Sequence, residues 1–303
     1  MVKRNGRGRF RKQRWLCLSC HHSFSWSTGR NRYQRGFVWF RRWLQEGYSI
    51  RQLAELSGHS QSTIRRIVKY WLERPPKRRF SSTESRYAIF DGTFLHRRRG
   101  MYAVMDGATH QIIYGAYDIN EGPRDLMKFC LTLKEQGFHP KSVTIDGNPH
   151  IFRVVQSLWP TLLVQRCLVH VQRQGLRWCR HNHKRTDARK LRRILLRVCT
   201  IKSHVQRQQF ERLFEHWNEH HGQLLSSTSN RGWVTSDLQR ARSMLIKALP
   251  YMFSYLDDDN IPRSTNAIEG YFARLKQRYR QHRGLSKQAR SNYFHWYFHL
   301  CPR

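Results

Sequence analysis

Acidic residues are scarce in this chain: 20 Asp plus Glu stand against 56 Lys plus Arg in 303 residues, a formal net charge of +36. A field so unbalanced attracts polyanions, and salt-sensitive phosphate contacts are its natural use. Long apolar runs are missing too. No stretch approaches the length of a membrane-spanning helix, and no hydrophobic segment near the N-terminus offers a secretory signal. Cysteine amounts to seven residues, an odd number without the spacing of a disulfide framework, so a reducing compartment is expected, of the kind a bacterial cytoplasm or nucleoid provides. What is present argues for a folded protein. At 39% hydrophobic and 13% aromatic residues, the chain can bury a real core, which excludes wholesale disorder. Its length allows two or three domains, or one core with additions. The positive charge runs through every segment, interleaved with 10 Trp, 13 Tyr and 16 Phe. That pattern fits a folded nucleic-acid-binding enzyme better than a basic tail; a ribosomal or membrane-surface protein is the competing reading.

The few acids are placed informatively. Tyr87-Ala-Ile-Phe-Asp91-Gly and Ser142-Val-Thr-Ile-Asp146-Gly-Asn are apolar, β-favouring runs that each end in Asp followed by Gly. Strands of this kind are normally buried, and burying an ionised carboxylate is costly unless something compensates it. Two such strands delivering Asp to one place suggest a site for hard divalent cations, which prefer carboxylate oxygens.

Residues 1–35 read as a basic, Gly-punctuated segment holding Cys17-Leu-Ser-Cys20-His21-His22. A Cys-x-x-Cys pair binds zinc when a second pair closes the tetrahedron; no second pair lies nearby, so zinc at Cys17 and Cys20 is an open alternative. Residues 36–78 carry a sharper signal. An amphipathic helix over 36–46 precedes a helix with Ile50, Leu53 and Ala54 on one face, a turn at Ser57-Gly58-His59, and a second helix with Ile64, Ile67, Val68 and Trp71 inward. This is the packing pattern of a helix-turn-helix. It leaves Ser60, Gln61, Ser62, Arg65 and Arg66 facing outward near the start of the second helix, where base edges and phosphates are read; an ordinary basic helical hairpin is the alternative. Pro75-Pro76-Lys-Arg-Arg reads as a linker.

From residue 86 the pattern turns to strands over 87–95, 100–106 and 111–118, a helix over 123–136, a strand over 141–146, a short helix over 150–158 and a strand from Leu162. The order is that of a ribonuclease-H-like α/β fold, which other α/β domains share in part. A two-metal site usually needs a third carboxylate. Glu269 is the candidate, on a helix capped by Ser264 or Thr265 with Ile268, Phe272, Leu275 and Tyr279 as its buried stripe. Lys276 and Arg280 follow at helical spacing and could hold substrate phosphates; a surface helical glutamate is the plain alternative. Rival acids are Asp106 and Asp118, which precede turns, and Asp257-Asp258-Asp259, which reads as a solvated loop. Residues 79–170 would form the first part of the core, 171–255 an all-helical insertion too long for a loop, and 256–303 the completion of the core. His181, His183, His220 and His221 read as solvated on basic helices. Cys167 and His170 share one helical turn but make a weak metal pair; a packing and hydrogen-bonding motif is expected.

Ile145-Asp146-Gly-Asn-Pro, Gln165-Arg166-Cys167-Leu-Val-His170 and Asn266-Ala-Ile-Glu269-Gly-Tyr-Phe together resemble the signature of Mutator-like bacterial insertion-sequence transposases, over about residues 86 to 285. Gln174 stands where that family often has Asn. The N-terminal segment resembles the second half of a zinc ribbon, lacking its first Cys pair. The resemblance implies a DNA transposase of the Asp-Asp-Glu type, with Asp91, Asp146 and Glu269 as a catalytic triad holding two Mg²⁺ ions, for which Mn²⁺ could substitute. It implies double-stranded DNA as partner, both element ends and target, and a homo-oligomer assembled on it. Two competing readings stay open: a DNA-binding regulator that lost catalysis, and a ribonuclease-H-like nuclease.

Overall fold

The computed structural model describes residues 1–8, 11–26, 35–77, 85–96, 99–120, 122–180, 184–227 and 233–303. His181 and His183 lie outside these. The chain divides into two compact units, Met1–Arg74 and Pro75–Arg303. No helix among the described residues is long and apolar enough to cross a membrane.

The first unit opens with an antiparallel three-stranded sheet, β1 (Val2–Arg7), β2 (Gln13–Cys17) and β3 (Ser23–Ser25). Three short helical segments follow. The expected 36–46 helix is α1 (Phe37–Arg41) running into a wider π turn over Arg42–Glu46, which ends at Gly47 in the left-handed conformation. Helix α2 (Ile50–Ser57) begins with a reciprocal Ser49–Gln52 capping box, and α3 (Gln61–Leu72) begins at the Ser60 cap. Gly58, at φ +67°, makes the turn between them. Phe40, Leu44, Leu53, Ile64, Ile67, Val68 and Leu72 are buried, and Trp71 is half-buried, with the Phe37 and Trp71 rings 4.5 Å apart.

The second unit is a mixed α/β assembly. Its sheet runs β6–β5–β4–β7–β8, from β4 (Tyr87–His96), β5 (Arg99–Asp106), β6 (Ile112–Ile119), β7 (Ser142–Ile145) and β8 (Leu163–Arg166). The first three pair antiparallel as a meander; β7 and β8 join parallel to β4 after crossovers through α4 (Pro123–Glu135) and α5 (Pro149–Leu158). Alternation along β4 sorts its side chains: Ala88 and Phe90 face α4 and α5, where Leu126, Phe129, Val154 and Val155 complete one core. Ile89, Asp91 and Thr93 face the other way.

That opposite face is covered by α10 (Asn266–Arg280) against β4 and α11 (Lys287–Leu300) against β6. Residues between β8 and α10 build a second core from α6 (Leu168–Trp178), α7 (Thr186–Arg197), α8 (His204–Ser227) and α9 (Trp233–Ala248). Leu191, Leu195, Phe210, Phe214, Trp217 and Leu245 pack there, so the segment read as helical folds around its own apolar centre. Buried polar pins tie the sheet to the chain entering α10: Thr144 Oγ1 donates to the Pro262 carbonyl at 2.6 Å and Gln165 Nε2 to the Met252 carbonyl at 2.7 Å.

Candidate active site

The parallel register of β4 and β7 sets Phe90 beside Ile145, so Asp91 and Asp146 follow one step further on the same side. Asp91 is not at the end of its strand, as the sequence suggested. It lies within β4, at the point where β4 outruns β7 and continues antiparallel to β5. The backbone around each acid needs glycine, for different reasons. A Cβ on Gly92 would lie 2.3 Å from the Tyr102 ring of β5. Gly147 sits at φ +99°, and a Cβ there would fall 1.8 Å from the Arg166 guanidinium, which is laid over this turn. Arg166 Nη2 also donates to the Asp146 carbonyl at 3.4 Å. Asp146 Oδ1 accepts from Asn148 N at 2.8 Å, and Asn148 in turn caps α5, so the Asp-Gly-Asn-Pro sequence is a strand exit and a helix entrance in four residues.

Asp91, Asp146 and Glu269 line one cavity of about 460 Å³, together with Thr93, His170, Lys276 and Arg280. Asp91 is only 6% exposed. Burial pushes its carboxyl up to about 7, and the nearby Asp146 adds to the rise, against a hydrogen bond from Gly92. Lys276 donates to Thr93 Oγ1, and burial together with Arg280 lowers its affinity for a proton.

Glu269 is held from several sides. The cap of α10 is Thr265, but its side chain makes no capping bond. Its hydroxyl instead lies 3.0 Å from Glu269 Oε1, as a donor, and 3.2 Å from His170 Nδ1. Glu269 also faces His170 Nδ1 at 3.7 Å and Arg173 Nη1 at 3.6 Å. Cys167, fully buried, accepts the Thr265 N–H at 3.3 Å and faces His170 Nδ1 at 3.3 Å. Burial raises the Cys167 thiol, but hydrogen bonds from His170 and Thr265 outweigh it and bring it below its ordinary value. The same bond to sulfur pushes the His170 imidazole up to about 9 against burial. Cys167 and His170 therefore form a hydrogen-bonded pair that meets Thr265 at the start of α10.

The rival acids are engaged elsewhere. Asp106 Oδ1 accepts from Ala108 N, Thr109 N and Thr109 Oγ1 in its turn. Asp118 pairs with Arg99. Asp258 corrects the solvated-loop reading, because Tyr87 Oη at 2.7 Å and Lys141 Nζ at 2.5 Å tie it to the start of the sheet.

In the first unit, Ser60, Gln61, Ser62, Arg65 and Arg66 are exposed along the start of α3. The Ser60 hydroxyl accepts from Thr63 N as the helix cap and Gln61 accepts from Arg65, so part of this hydrogen-bonding capacity is already used. Cys17 ends β2 and Cys20 follows in the turn; hydrogen bonds from the backbone of Cys20 and Ser19 bring the Cys17 thiol down to about 7. Among the described residues, no third donor joins these two sulfurs. The group that does gather three donors is His216, Glu219 and His220 on α8.

Thr93 and Arg173 were not singled out in the sequence. Thr265 was expected only as a helix cap, and Arg166 only through its place beside Cys167 in the Gln-Arg-Cys block.

A mixed sheet with helices on both faces and an acid-lined cavity is the architecture of an α/β catalytic domain. The family model described as "Transposase, Mutator family" matches residues 51–290. The chain belongs to that family, and membership implies interaction with DNA. No curated protein matches it.

Proposed function

We propose that the chain is a DNA transposase that binds the ends of its own insertion element and carries out metal-dependent strand cleavage and strand transfer. The observation that carries this reading is the gathering of Asp91, Asp146 and Glu269, from two strands and a distant helix, around one cavity with Lys276 and Arg280 on its wall. The second unit is read as a ribonuclease-H-like core interrupted by the helical segment 171–255 and completed by 256–303, supported by the β6–β5–β4–β7–β8 order. Residues 36–78 are read as a helix-turn-helix presenting α3 to duplex DNA, and Cys17 and Cys20 as a partial zinc ribbon.

The donor set fits hard divalent cations: three carboxylates share a cavity, and Asp91 is buried beside Asp146, where an ionised carboxylate requires positive charge nearby. Asp91, Asp146 and Glu269 would hold two Mg²⁺ ions, which when bound supply activation of a water or 3′-hydroxyl and charge stabilisation at the leaving oxygen. The chain's own residues do the positioning. Lys276 and Arg280 hold substrate phosphates, Thr265 orients Glu269, and β4 with the cover of α10 keeps Asp91 away from bulk water. No covalent protein–DNA intermediate is required.

The test is metal-dependent cleavage of DNA carrying the element ends, comparing wild type with Asp91→Asn, Asp146→Asn and Glu269→Gln. Each variant is expected to lose cleavage by at least about a hundredfold, in the range of removing a directly stabilising group, with DNA binding retained. Cleavage retained in any one of them removes that residue from the triad; binding without cleavage by the wild type favours a regulator.

A further inference from the structure

Helix α8 carries His216-Trp217-Asn218-Glu219-His220. Trp217 is buried and donates its indole N–H to the Asp187 carbonyl at 2.9 Å, which fixes this part of the helix against α7. Beside this pinned face His216, Glu219 and His220, at i, i+3 and i+4, are exposed along one side of the helix. One donor atom from each lies within 4.8 Å of the others. Donors around a four-coordinate zinc stand about 3.3 Å apart, given ligand bonds near 2.0 Å; exposed side chains close the difference by rotamer change.

Two further observations point to a ligand. His220 Nδ1 lies 2.8 Å from the His216 backbone carbonyl. A carbonyl only accepts, so the proton resides on Nδ1 and the Nε2 lone pair is left outward. A ligating imidazole has this arrangement, its second nitrogen donating to a carbonyl that fixes the tautomer. Glu219, in a chain with 56 Lys plus Arg, has no ion-pair partner among the described residues, whereas Glu211 one face away pairs with Arg207 at 2.9 Å.

Two imidazoles and one carboxylate form a borderline donor set that suits Zn²⁺ and its neighbours and offers little to Mg²⁺. Three protein ligands leave a tetrahedral position open. Beside it lies a cavity of about 340 Å³ lined by His216 and His220, with Lys190, Arg193 and Arg197 of α7 on its wall. These cations would repel a bare metal ion but stabilise an anion bound to it.

We propose that His216, Glu219 and His220 form a zinc-class metal site, separate from the acid-lined cavity, whose open position takes an anionic oxygen ligand held by Lys190, Arg193 and Arg197. The site does not depend on the transposase reading.

The experiment is calorimetric titration of the full-length Cys17→Ser/Cys20→Ser chain, which removes the Cys-x-x-Cys pair, with Zn²⁺, and separately with Co²⁺ followed by visible absorption, where a thiolate ligand would show as an intense near-ultraviolet band. One equivalent is expected to bind, with a Co²⁺ spectrum typical of nitrogen and oxygen ligands and unaffected by millimolar Mg²⁺. His216→Ala/His220→Ala in that background is expected to weaken binding by at least tenfold with unchanged circular dichroism, since both side chains are exposed. Inorganic phosphate is expected to tighten binding, and Arg193→Ala/Arg197→Ala to abolish that gain. No Zn²⁺ binding in the Cys17→Ser/Cys20→Ser chain, or equal binding with and without the two histidines, overturns the proposal. Binding without any phosphate effect overturns its anion-holding part.

Discussion

At the scale of single residues, Asp91 is the acid of the candidate site that burial constrains. Its carboxyl is buried and faces Asp146, so in metal-free protein it holds its proton up to about 7. The folded state then binds that proton more tightly than the unfolded chain between about pH 4 and pH 7, and stability falls as pH rises through that window. Asp91→Asn removes the titration. In the presence of chelator, the variant is expected to be more stable than wild type above pH 7, by on the order of 4 kcal/mol at most, and equally stable below pH 4. Thermal melts across that range check this; a stability difference independent of pH contradicts it. Divalent cations are expected to raise the wild-type melting temperature and to leave that of the variant nearly unchanged.

At the scale of elements, the candidate site depends on how three of them end. Strand β4 outruns β7, the Asp146 strand gives way at once to α5, and α10 begins where Cys167 and Thr265 meet. The Thr265 hydroxyl is the joint between the α6 and α10 ends, because it touches His170 and Glu269 together. Thr265→Val keeps the shape and removes the bond. The expected result is about a fivefold loss of cleavage rate, the loss of one hydrogen bond of about 1 kcal/mol, with DNA affinity unchanged and activity recovered in Thr265→Ser. Full activity in Thr265→Val would show that the hydroxyl is not responsible. The strand spans, the α10 stripe of Ile268, Phe272, Leu275 and Tyr279, and the α2–α3 turn were all legible in the sequence, because each follows from local periodicity or a local glycine. The π turn after α1 was not, since Arg42–Glu46 keeps an amphipathic pattern that an α-helix would share. Nor was the diversion of the Thr265 side chain from capping, since His170 and Cys167, which it also meets, lie far away along the chain.

At the scale of the whole molecule, the charge of +36 dominates. DNA affinity is expected to fall steeply with salt, log K declining linearly with log salt concentration at about 0.9 per neutralised phosphate. If the exposed Arg65 and Arg66 contact phosphates, Arg65→Ala/Arg66→Ala reduces that slope by about 2. Binding titrations at several salt concentrations measure it, and an unchanged slope excludes these two arginines from the DNA backbone.

The sequence by itself determined the elements, the Asp146-Gly strand exit and the helix of Glu269, because hydrophobic period and turn chemistry are encoded within a few residues. Only the tertiary structure decided that these acids share one cavity, that Arg166 covers Gly147, and that the Thr265 hydroxyl, His170 and Arg173 surround Glu269. It also decided that His216, Glu219 and His220 are left clear on a helix whose adjoining face is buried at Trp217. Those are relations between side chains set by strand register and by which helix face is buried, and no local pattern records them.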